Sequence, residues 1–146
     1  MKEVREMITI ITGPQGSGKT QKLIDMANSE LDNTKGLIVY IDHSNNHRLA
    51  VSSRIRFINT EEFSVDSKEK FSGLLCGLVA GNYDINRLFI DNLVKIIETK
   101  DAEAVQYTLN EIEKLCQMND MQCFLALNSK SLEGLDTEGM NIVTCG

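Results

Sequence analysis

The chain has 146 residues, 42% of them hydrophobic and 25% charged, with one proline and no tryptophan; that suffices for one domain with a real core and not for two. A formal charge of −6 argues against a surface built broadly for nucleic acid, and no apolar run approaches the ~20 residues needed to cross a bilayer. The expectation is a single ordered domain over residues 1–146, soluble and cytoplasmic, with no membrane partner.

The N-terminus MKEVREMI carries acids and no extended apolar signal region. The first strand is 7-MITIIT-12, a continuous apolar run of the kind buried on both faces of a parallel sheet. After the stretch 13-GPQGSGKT-20, Leu23, Ile24, Ala27 and Leu31 form one helical stripe. The run 37-LIVYID-42 is the second strand. In 54-RIRFIN-59, Arg54 and Arg56 alternate with Ile55 and Phe57, which suits an edge strand with one wet face.

A second helix follows from Phe71, Leu74, Leu75, Leu78 and Val79, stopped by Gly81-Asn82. The strand 87-RLFID-91 leads into a short helical piece from Leu93 to Ile97. Val105, Leu109, Ile112 and Cys116 then make a third amphipathic helix, capped by Asp101 or Thr99. The runs 121-MQCFLALN-128 and 142-IVTC-145 complete the strands. Cys76, Cys116, Cys123 and Cys145 show no C-x-x-C pair and read as reduced thiols.

Strands alternating with helices predict an α/β three-layer sandwich around a mainly parallel sheet of about five to six strands. In such sheets ligands sit beyond the carboxyl ends of the strands, and four of those ends are polar: Gly13, Asp42, Asp91 and Asn128-Ser129.

The spacing G-x-x-x-x-G-K-T is met by Gly13, Gly18, Lys19 and Thr20, directly after a buried-strand pattern and at the start of a helix. Gly13, Gly16 and Gly18 allow backbone angles closed to other residues, so successive N–H groups can turn inward as an anion nest. The helix N-terminus adds partial positive charge at the same point. Lys19 would reach the terminal phosphates of a nucleotide, and the Thr20 hydroxyl would ligate Mg²⁺.

With 88-LFID-91 as a second motif, the chain resembles the P-loop NTPases, and its motif order resembles the RecA-like ATPase branch. The resemblance implies the P-loop NTPase fold, ATP and Mg²⁺ as cofactors, and hydrolase chemistry. It places the nucleotide on Gly13, Pro14, Gln15, Gly16, Ser17, Gly18, Lys19, Thr20 and Gln21. Asp91 would join Thr20 at the metal from the end of the neighbouring strand. Asn128 or Ser129 corresponds by position to the polar residue that contacts the terminal phosphate.

The glutamate that many members carry directly after the second-motif aspartate is replaced here by Asn92, which can position a water but cannot accept its proton. RecA-like proteins often place the glutamate at the end of the strand after the first helix, where this chain offers Asp42. Glu61 and Glu62 are the nearest remaining bases, so the catalytic candidates are Lys19, Glu62 and Asn128.

Three functions follow: a weak or partner-activated Mg-dependent ATPase, a small-molecule nucleoside or nucleotide kinase, or a non-hydrolysing ATP-dependent interaction module. A kinase lid usually carries several arginines, whereas 129-SKSLEGLDTEGMN-141 has only Lys130. The guanine-reading N-K-x-D pattern is absent, since 128-NSKS-131 has the wrong spacing, so ATP is the default. Expected partners are the nucleotide and a homo-oligomer or protein partner.

The acid-free stretch 43-HSNNHRLAVSSRIR-56 has three readings. Arg48, Arg54 and Arg56 could act on phosphate in a neighbouring subunit, could bind a second anionic substrate or nucleic acid, or could keep an edge strand soluble; the last is the plainest. His43 and His47 lack a third ligand for a metal.

Overall fold

The computed structural model describes residues 3–146. In chain order its elements are β1 (Ile8–Gly13), α1 (Lys19–Glu30), β2 (Leu37–Asp42), β3 (Arg56–Asn59), α2 (Lys68–Gly81) and β4 (Ile85–Ile90). They continue with α3 (Leu93–Ile97), α4 (Ala102–Asn119), β5 (Gln122–Asn128), α5 (Ser129–Leu132) and β6 (Asn141–Thr144). All six apolar runs are strands of one sheet in the order β3-β2-β4-β5-β1-β6, and every pairing is parallel. No helix among the described residues is long and apolar enough to cross a membrane.

The runs are continuously apolar because successive side chains enter two different cores. Ile8, Ile10, Val39, Ile41, Leu88 and Ile90 meet Phe71 and Leu75 of α2, Ile96 of α3, and Val105 and Leu109 of α4. Their neighbours Ile11, Ile38, Tyr40, Phe89 and Phe124 meet Leu23, Ile24 and Ala27 of α1. The sheet is thus the middle of three layers. On the α1 face Phe57, Tyr40, Phe89 and Phe124 stand in register on four adjacent strands and stack with centroids 5.6, 6.3 and 4.6 Å apart. Each such pair adds about 0.5–1.5 kcal/mol beyond its area burial, so this ladder stiffens the sheet beneath the strand ends.

The helix signals hold locally. Ser67 Oγ accepts from the Lys70 N–H at the start of α2, and Asn82 Nδ2 donates to the Leu78 carbonyl at its end. Of the two cap residues offered for α4, Asp101 takes the position and accepts from the Glu103 N–H, while Thr99 Oγ1 accepts from the Asp101 N–H.

Two expectations are corrected. Strand β3 is an edge, but it has no wet face: only Arg56 is exposed, while Phe57, Ile58 and Asn59 are buried. The reason is that Val51 and Ile55, from the segment leading into β3, join the core on the α1 side, and Phe71 and Leu75 share the opposite core with Ile58. Arg54 lies before the strand. Second, Asp91 does not follow a strand that neighbours β1, because β5 pairs with both β1 and β4 and separates them.

Candidate functional site

Parallel pairing aligns the carboxyl ends of the strands along one edge of the sheet. Gly13 pairs with Asn128, Asp42 with Asn59, and the Asp91 N–H donates to the Ile41 carbonyl at 2.9 Å. The four polar strand ends read from the sequence therefore share one edge. Gln15, Gly16, Lys19, Thr20, Asp91 and Asn128 line a cleft of about 670 Å³ there.

The loop entering α1 is shaped by its glycines. A Cβ on Gly13 would lie 2.6 Å from both the Cys145 carbonyl oxygen and Ser17 Oγ, so no side chain fits. Gly16 and Gly18 have φ of +80° and +89°, the left-handed region open to glycine at little cost. The first intrahelical bond of α1 runs from the Lys22 N–H to the Gly18 carbonyl at 3.0 Å, leaving the N–H groups of Lys19, Thr20 and Gln21 without helical acceptors. Lys19 folds back over this turn, its Nζ donating to the carbonyls of Pro14 at 2.9 Å and Gly13 at 3.2 Å. Ser17 Oγ is buried without a hydrogen-bond partner. Gln21 is turned away, donating to Asp25 at 2.9 Å.

Across the cleft, Thr20 Oγ1 donates to Asp91 Oδ2 at 2.8 Å. The other oxygen, Oδ1, accepts from the Asn92 N–H at 2.9 Å. Asn92 sits at φ +60° and sends its Nδ2 to Asp42 Oδ1, also at 2.9 Å, so one asparagine bridges two carboxylates. Asp42 is fully buried, takes a further bond from the His43 N–H at 2.6 Å, and leaves Oδ2 with no partner. Burial pushes the Asp91 carboxyl above its usual range and Asp42 pushes the same way, against the hydrogen bonds from Thr20 and Asn92. Burial, Asp91 and Asp42 likewise raise the Tyr40 phenol.

A divalent cation beside Thr20 and Asp91 would favour ionised Asp91. The described residues contain no group of three His, Cys, Asp or Glu side chains placed to hold a metal. Thr20 and Asp91 would give a Mg²⁺ two oxygen ligands, fewer than its octahedral shell takes.

Not every predicted residue reaches the cleft. Glu62 does not line it: Glu62 lies beyond the end of β3, half exposed, accepting from Asn45 at 3.3 Å and standing 3.9 Å from Arg48. Conversely, Lys95, Lys100, His47 and Ser131 line the cleft and were not singled out as cleft residues by their spacing. The two lysines come from α3 and the turn after it, about 80 positions beyond the glycine loop, and no local pattern marks them. With Lys19 they make the cleft cationic around the Asp91 carboxyl. No protein-family model matches this sequence, and no curated protein is significantly similar to it.

Proposed function

We propose that the cleft binds ATP with Mg²⁺ and that the protein is a P-loop nucleotide-binding domain of the RecA-like kind, turning ATP over slowly or only with a partner. The observation that carries this reading is the Thr20–Asp91 hydrogen bond at 2.8 Å, which joins the end of the glycine loop to the carboxylate 71 positions later. The chain's residues divide the work. The N–H groups of the loop and of the first turn of α1 cradle phosphate oxygens, and Lys19 leaves the Gly13 and Pro14 carbonyls to meet the terminal phosphate. Thr20 and Asp91 hold Mg²⁺, which when bound draws charge off the phosphate oxygens.

Slow turnover follows from the carboxylates. Asp91 is committed to Thr20 and Asn92, Asp42 is sealed behind Asn92, and Glu62 is directed to Asn45 and Arg48. None is poised as a base for a water in the cleft. A second reading, phosphoryl transfer to a small acceptor, is favoured by one observation: Lys95 and Lys100 supply the cleft cations that the 129–141 segment lacks.

Calorimetry with a non-hydrolysable ATP analogue tests the reading. Lys19→Ala removes two charge-assisted contacts of about 1.5 kcal/mol or more each, so affinity should fall roughly 100-fold. Undiminished binding by that variant would sink the proposal. Single-turnover assays with and without a panel of nucleosides then separate the ATPase from the kinase.

A further inference from the structure

From Arg48 on, the acid-free stretch lines a second groove, while His47 of the same stretch lines the cleft. Arg48, Arg54 and Arg56 rim a groove of about 810 Å³ beside edge strand β3, and Val51, Ile55 and Phe57 form its buried floor. Arg54 and Arg56 make no ion pair among the described residues, and Arg48 reaches Glu62 only at 3.9 Å. Leu49, at the rim, is 100% exposed. Residues 43–60 carry three arginines and no carboxylate, so the rest of a chain with net charge −6 carries −9.

A second patch has the opposite charge. Tyr83 and Met118, 89% and 77% exposed, stand on the turn that enters β4 and on the last turn of α4, just before β5. Asn119 ties those turns together, its Nδ2 donating to the Ile85 carbonyl at 3.0 Å and the Tyr83 carbonyl at 3.4 Å. Asp84 and Asp120 beside them are exposed and unpaired among the described residues. The Leu37 N–H donates to the Asp84 carbonyl at 2.9 Å, and Leu37 itself lines the groove. The two patches therefore adjoin at the amino-terminal end of the sheet.

A nucleic acid strand suits the groove poorly. Single strands bind by stacking bases on open aromatic faces, whereas Phe57 is 9% exposed and covered by the Arg48 guanidinium 5.5 Å from its centroid. A polypeptide surface with apolar anchors and carboxylates suits it well, and this chain presents one. We propose that the groove is occupied by a second copy of the chain in a two-fold dimer. In it the Tyr83–Met118 patch of each protomer seats on the groove of the other. Because the patches adjoin, a single two-fold axis satisfies both contacts at once, as an isologous interface requires. Tyr83 is the aromatic anchor entering an apolar pocket. Arg54 and Arg56 meet the partner's Asp84 and the partner's Asp120, and Leu49 leaves water. The cleft at the carboxyl-terminal edge stays open, so this inference is independent of nucleotide binding.

Sedimentation equilibrium at roughly 100 μM, where a contact of micromolar affinity is saturated, should give twice the 16.3 kDa chain mass. The dimer should weaken on going from about 0.1 to about 1 M salt, which cuts the screening length from about 10 to about 3 Å. A chain with Arg54→Glu and Arg56→Glu, and another with Asp84→Lys and Asp120→Lys, should each be monomeric and keep the far-UV circular dichroism of the folded chain. Mixed, they should form a heterodimer, since both contacts are again attractive. A wild-type monomer at that concentration, or a dimer indifferent to both variants, overturns the proposal. So does a monomer that binds a fluorescein-labelled oligothymidylate through Arg54 and Arg56, which would reassign the groove to nucleic acid.

Discussion

Asn92→Asp exchanges the side-chain NH₂ that donates to the buried Asp42 for an oxygen of the same shape, and leaves the backbone N–H that donates to Asp91 in place. The amide donates to Asp42 Oδ1 at 2.9 Å, and Asp42 has no exposed surface. Asparagine and aspartate both tolerate the left-handed backbone found here, so the φ of +60° costs the two residues about the same. The electrostatic change is then isolated. A hydrogen bond to a charged group contributes about 1.5–3 kcal/mol, and leaving a buried charge uncompensated costs about 3–5 kcal/mol. These overlap, because the new carboxyl pair can relieve itself by sharing a proton, so we take about 3–5 kcal/mol at pH 8. At about 2–4 °C per kcal/mol for a domain of this size, the melting temperature should drop by about 10 °C. Two ionised carboxylates repel in this buried site and a shared proton relieves them, so the deficit should shrink from pH 8 to pH 5. Thermal unfolding by circular dichroism at pH 8 and pH 5, without nucleotide, reads both effects. Asn92→Gly is the control: it keeps the backbone, removes the bridge, adds no charge, and should cost less. A variant Asn92→Asp that melts with the wild type at pH 8, or whose deficit is the same at pH 5, would refute the bridge.

Gly13→Ala should destabilise more than Gly16→Ala, measured by urea unfolding. The first places a Cβ 2.6 Å from the carbonyl of Cys145, whose N–H is tied to the Thr12 carbonyl at 2.7 Å, whereas the second meets open space and bears only the left-handed strain of about 1–2 kcal/mol; equal losses would contradict this packing. Asp91→Asn should raise the melting temperature at neutral pH while abolishing Mg²⁺-dependent nucleotide binding. Burial holds the Asp91 carboxyl above its unfolded value, so its ionised form opposes folding above the folded pKa and ceases to do so as pH falls below the unfolded one. A gain that persists in acid would show the sign to be wrong. Burial raises the Cys116 thiol to about 12 and pushes Cys123 up too, while Cys76 is exposed. Ellman's reagent should therefore find a fast thiol that disappears in Cys76→Ser, with all four cysteines reacting in guanidinium; a fast phase surviving that substitution would point to another cysteine.

Much of the fold was legible in the sequence because it rests on local signals. Six apolar runs bounded by turns became six strands, and three stripes at helical spacing became α1, α2 and α4. The glycine loop is equally local: the residues that demand positive φ or leave room for a carbonyl are those of the motif. Strand order is not local. That β5 separates β1 from β4, and that the segment before β3 folds back to bury Phe57, depends on which cores the strands fill. The site divides the same way. Gly13, Lys19, Thr20 and Asp91 could be named from spacing, since strand ends and helix starts aim them. Lys95, Lys100 and His47 entered the cleft, and Glu62 left it, through contacts between segments far apart in the chain. Asn92 shows the difference most sharply. In the sequence it is a missing glutamate, and in the folded chain it is the donor that lets Asp42 and Asp91 lie buried side by side. Local sequence sets which side chains are available and which way their own element aims them, and only packing among distant elements sets what each one meets.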